Sequence, residues 1–135
     1  MKKMISVFVA ILFIAWQTTS VGAYGDHDEG TMGYPNSITY KLDNGISGYL
    51  TDAFATTWTS LPTGTDAYVS AEFFWEDLSR STSGSITLAD GHVGAVTVSP
   101  PSVDGISIDY YSVSSYHLVG YNGGVYTKNL FTFVP

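Results

Sequence analysis

The sequence predicts an all-β fold, an antiparallel β-sandwich of about eight short strands without disulfides. Three observations predict it. From residue 37 onward, short runs of β-branched and aromatic residues alternate with turn-forming residues every ~8–12 positions. No stretch sustains a helical apolar period; the best candidate, residues 50–58, is short and rich in Thr. The chain has no cysteine, so a core must hold it alone.

The first segment is read separately. Lys2 and Lys3 give a positive start, residues 4–16 are almost unbroken apolar sequence, and Val21 and Ala23 place small side chains before a cut at Tyr24. These are the parts of a cleavable signal peptide over residues 1–23. The apolar run, about 13 residues, is short of the roughly 20 that a bilayer-spanning helix needs. No later segment is long and apolar enough, so no stable membrane span is expected after cleavage, and the protein is expected to be secreted.

Residues 24–36 are polar, Gly-rich and acidic, and predict a flexible lead-in. The sandwich domain is then residues 37–135. Strand 37–42 alternates, and Asp43-Asn44-Gly45 tolerates positive φ, which predicts a hairpin turn into a strand at 46–51. Residues 61–66 read as a loop. Residues 68–76 give the clearest strand: Val69, Ala71, Phe73 and Trp75 share one face, with Ser70, Glu72, Phe74 and Glu76 on the other. A Ser/Thr/Gly loop at 79–85 precedes strands at 85–89 and 93–99, joined by a turn at Asp90-Gly91-His92. Pro100-Pro101 stops pairing, because proline has no amide to donate. Strands at 106–113, 116–121 and 125–134 complete the fold, the last two joined by Asn122-Gly123-Gly124.

Removing 23 of the 135 residues leaves 112, and leaves Lys41, Arg80 and Lys128 as the only bases against twelve acids, a net charge of −9 with histidine neutral. Such a chain repels nucleic acid phosphates and anionic lipid, which excludes nucleic-acid binding.

Chemical motifs are sparse. No Ser lies in a Gly-x-Ser-x-Gly elbow. His92 sits among turn residues, and His117 lies in a strand, in phase with Val113, Ser115, Val119 and Tyr121. A hydrolase would need His117 with a Ser and an Asp; an ordinary strand histidine is the plainer account. Glu72 and Glu76 lie four apart on one strand, roughly 13 Å between Cα atoms, and read as solvated face residues rather than a glycosidase pair. Asp26, His27, Asp28 and Glu29 are weak metal candidates, since imidazole and carboxylate suit divalent ions. They match neither a calcium loop nor a closed zinc site, and a solvated acidic tail is the plainer account. No cofactor is predicted.

Aromatic content is the most unusual feature: of twenty aromatics three leave with residues 1–23, so seventeen remain. Several fall outside the inferred core phase. Phe74 neighbours two glutamates, Tyr110 and Tyr111 are adjacent so that one must face outward, and Tyr116, Tyr121 and Tyr126 extend the cluster. These six are the candidate binding residues, since exposed aromatics seat sugars or proteins.

A signal peptide followed by a small cysteine-free, Tyr/Gly/Ser-rich sandwich is similar in plan to many small secreted bacterial proteins, some bacteriocins among them, but no motif singles out a family. The sequence therefore leads to a small secreted, non-catalytic binding protein. Its partner would be an extracellular protein or a neutral glycan: a cell-envelope glycan, a matrix component or a secreted protein, in a bacteriocin-like or inhibitor role.

Overall fold

A computed structural model describes residues 24–101 and 108–135. The signal-peptide reading, residues 1–23, and the start of the strand expected at 106–113 lie outside the described residues. Eight strands are described and no helix: β1 (Tyr24–Met32), β2 (Ile38–Ile46), β3 (Ala53–Thr59), β4 (Thr65–Asp77), β5 (Thr82–Val93), β6 (Ala95–Val98), β7 (Ile108–Tyr121) and β8 (Gly124–Phe133). They form two four-stranded sheets, ordered β1-β2-β3-β6 and β5-β4-β7-β8, with every neighbouring pair antiparallel. The sheets pack face to face as the predicted sandwich. Most of residues 50–58, the nearest thing to a helical candidate in the sequence, lie in strand β3, consistent with a Thr-rich run that loses χ1 freedom in a helix and packs well on a pleated sheet.

The two-residue period of β4 is as expected. Val69, Ala71 and Phe73 are buried, Trp75 is partly buried against them, and Glu76 is exposed. These inward residues join Ile46, Ala55, Val96, Val98 and Val113 in one apolar cluster; Ile38, Tyr40, Leu42, Val119 and Leu130 form a second.

Several local expectations are corrected. The lead-in is not a loose tail: β1 pairs with β2 over its whole length, from Tyr24↔Ile46 to Met32↔Ile38. Its acids have partners far along the chain, since Asp26 Oδ2 accepts the Phe131 amide at 3.0 Å and Asp28 Oδ2 accepts the Tyr126 hydroxyl at 2.6 Å. Asp43-Asn44-Gly45 is no turn but buried strand within β2. Most of the strand expected at 46–51 is instead the connection to β3, closed by the Ser47 amide donating to the Asp52 carbonyl at 2.8 Å, with Leu50 at φ 64°.

Asp90-Gly91-His92 likewise lies within β5. The chain changes sheets two residues later at Gly94, φ 85°. There the Gly94 amide donates to Thr65 O at 3.0 Å while its carbonyl accepts the Thr59 amide at 2.9 Å, so one residue ties the two sheets. A Cβ here would lie 2.8 Å from Pro62 Cα, so both the backbone angle and the space demand glycine. The two strands expected at 106–113 and 116–121 are one long β7, irregular in its pairing opposite Phe74/Trp75. The Asn122-Gly123 turn is as expected, with φ 50° and 82° at its two residues.

Candidate functional site

Two regions have unusual chemistry, on opposite faces of the β5-β4-β7-β8 sheet.

On its inner face a polar belt crosses the core between the two apolar clusters. His117 is 0% exposed. Thr57 Oγ1 donates to the Tyr68 carbonyl at 2.9 Å, so toward His117 Nδ1, 2.9 Å away, it can only accept. His117 therefore carries its proton on Nδ1, and Nε2 accepts from Ser115 Oγ at 2.7 Å. Ser115 in turn accepts from Asn44 Nδ2 at 2.8 Å, and Asn44 Oδ1 accepts from Thr132 Oγ1. Each polar side chain on this path has a hydrogen-bond partner, which lets so many polar groups lie inside. Burial pushes the His117 pKa down to about 4, against the opposing pull of the Asp26 charge and the Thr56 backbone. The imidazole is neutral at neutral pH. Among the described residues no Asp contacts it; Thr57 occupies the place an orienting carboxylate would take in a hydrolase.

The outer face is built by the alternate residues. Strand register places Tyr68, Ser70, Glu72 and Phe74 of β4 beside Leu118, Tyr116, Ser114 and Ser112 of β7, and these beside Thr127, Asn129, Phe131 and Phe133 of β8. Tyr116 is 39% exposed, and Phe131 and Phe133 are each 57% exposed. The rings gather in pairs: Tyr68 with Tyr116 at 6.3 Å, Phe74 with Tyr111 at 6.1 Å, and Phe131 stacked with Phe133 at 6.5 Å.

Of the six candidate binding residues, Phe74, Tyr111 and Tyr116 lie on this face. Tyr110, Tyr121 and Tyr126 do not. Tyr110 is 5% exposed and packs edge-on against Phe73 in the core. Tyr121 packs on the second apolar cluster. Tyr126 stacks on Tyr40 at 4.6 Å and is tied to Asp28; that hydrogen bond holds its hydroxyl well above the ordinary phenol range. Sequence reasoning missed Tyr68, Leu118, Phe131 and Phe133. The alternation Leu130-Phe131-Thr132-Phe133 was the available signal for the last two.

The acidic candidates are not brought together. The strand period sends Asp26 and Asp28 toward β8, and His27 and Glu29 to the other face of β1. There His27 Nδ1 lies 2.6 Å from Asp43 Oδ1, and Nε2 lies 3.4 Å from Glu29. Burial works to lower the His27 pKa, but the two carboxylates outweigh it and hold it above its ordinary value. Burial pushes the Asp43 carboxyl up, against the pull of His27. Among the described residues no group of three or more His, Cys, Asp or Glu is placed to hold a metal ion, and no helix is long and apolar enough to cross a membrane.

The chain matches no protein-family model, and it matches no curated protein.

Proposed function

We propose that the protein is a small secreted binding protein, non-catalytic, whose contact surface is the outer face of the β5-β4-β7-β8 sheet. One observation carries this reading: three aromatic pairs are gathered on a face where a solvated sheet ordinarily presents polar side chains, with Phe131 and Phe133 more than half exposed. Aromatic side chains serve contact because they offer large area with few torsions to freeze. The partner would be an extracellular protein or a neutral glycan. Export rests on the character of residues 1–23.

A second reading, a secreted hydrolase, has one observation in its favour, the 2.7 Å approach of Ser115 Oγ to His117 Nε2. Against it, Ser115 and His117 are buried and His117 Nδ1 meets Thr57 rather than a carboxylate.

Capture of partners by the immobilised protein from cell-wall fractions and culture medium tests the first reading. The double variant Tyr116→Ala/Phe131→Ala is expected to lose the captured species while keeping the wild-type urea midpoint. Undiminished capture by that folded variant would remove the outer face from the account.

A further inference from the structure

We infer that the outer face of the β5-β4-β7-β8 sheet takes a basic polypeptide segment, one presenting Lys or Arg, in preference to a neutral glycan. This rests on the reading of that face as the contact surface.

The strand register places acids on this face. Asp66, Glu72 and Glu76 of β4 have the outward phase, and Asp109 of β7 pairs with Glu76 on the same face. The Asp66 side chain crosses over Gly120, as a Cβ built there would meet Asp66 Cβ at 3.4 Å. Thus four carboxylates share the face with the rings.

The bases are elsewhere. Lys41 lies on the β1-β2-β3-β6 sheet with its ammonium 5.5 Å from the Trp58 ring centre. Arg80 follows β4, its Nε 3.8 Å from Asp77. Lys128 is exposed, but its register opposite His117 gives it the inward phase. Outside residues 1–23 the chain has no other Lys or Arg.

The acids are interleaved with the rings rather than set apart from them. Glu72 sits on β4 two residues from Phe74 and four from Tyr68, with Ser114 directly across on β7 and Phe131 beyond it on β8. Along the strand, Tyr68 and Phe74 are roughly 20 Å apart, so Glu72 has an aromatic pair on either side within about 7–13 Å. Lys and Arg suit this pattern twice over. Their aliphatic stems cover apolar surface and their cations rest on ring faces, while their heads meet carboxylates. A neutral sugar would use the rings and leave four acids without complement. Phosphate- or sulfate-bearing polymers would be repelled.

Titration of the purified protein with two probes, an oligolysine peptide and an uncharged β-linked glucose oligosaccharide, tests the inference at low and at physiological salt. Oligolysine is expected to bind, to weaken about tenfold on going to higher salt, and to bind several-fold more weakly to Glu72→Gln and to Tyr116→Ala, both folded. Binding of the oligosaccharide alone, insensitive to salt and to Glu72→Gln but lost in Tyr116→Ala, would overturn the basic partner and leave the contact face standing. Oligolysine binding that Tyr116→Ala and Glu72→Gln both leave unchanged would overturn the inference, because the cation would then sit on other acids. No binding of either probe would overturn it as well.

Discussion

The two faces of the β5-β4-β7-β8 sheet invert the usual arrangement. Its inner face carries histidine, serine and threonine at the centre of the sandwich, and its outer face carries phenylalanine and tyrosine. The difference lies in what each group has been given. Inside, His117, Ser115, Thr57, Asn44 and Thr132 are joined donor to acceptor, so their burial leaves little unpaid desolvation. Outside, Phe131 and Phe133 touch each other and water. A satisfied polar belt is explained by the fold; an exposed aromatic face is what the proposed partner would cover.

The largest way to break this comparison is to empty the core between the faces. Phe73 is 0% exposed, and Phe73→Ala is expected to cost about 3–5 kcal/mol in a urea melt. An effect no larger than that of a surface change would mean that the β4 phase is reversed.

Next is the belt itself. The His117 pKa falls from 6.5 in the unfolded chain to about 4 in the fold, so the imidazole is neutral in both states above 6.5. As pH drops from 6.5 toward 4, the unfolded chain takes up a proton that the fold refuses, and stability is lost at about 1.4 kcal/mol per pH unit. His117→Gln should lower stability at pH 7 and flatten this acid limb. His27 has the opposite sign. Its raised pKa stabilises the fold below its ordinary value of 6.5, and that contribution is lost as pH rises through the folded value. His27→Gln should therefore lower stability along the whole acid limb without changing its slope, and remove a loss of stability that the wild type shows as pH rises above 6.5, so stability measured from pH 4 to 8 in both variants separates the two.

Smaller still, Tyr126→Phe removes the hydroxyl that donates to Asp28, and should cost about 1 kcal/mol without affecting partner binding. At the bottom of the scale, Glu72→Ala should stay within about 0.5 kcal/mol of wild type, as surface changes do.

What was legible in the sequence follows the range of the interactions. The β4 strand was legible because its alternation is local, and the Asn122-Gly123 turn because positive φ is demanded by the turn itself. Asn44 misled because its partners, Ser115 and Thr132, lie 71 and 88 residues away; nothing near it says that a turn-forming residue will be buried in a strand. Asp26 and Asp28 of β1 misled for the same reason, since they have partners on β8. Of Tyr110 and Tyr111, adjacency required one to face outward. Which one depends on the irregularity opposite Phe74/Trp75, where Phe74 pairs with Ser112 and Trp75 with Tyr110, leaving Tyr111 unpaired. The missed aromatics of β8 were legible in principle, since Leu130 and Thr132 fix the inward phase.

On the proposed function the outer face, and not the polar belt, meets the partner. Partner capture measured side by side for folded Phe131→Ala and folded His117→Gln tests it most directly. Phe131→Ala is expected to lose capture while His117→Gln retains it. Loss in His117→Gln with full retention in Phe131→Ala would contradict it and turn attention to the Ser115–His117 pair.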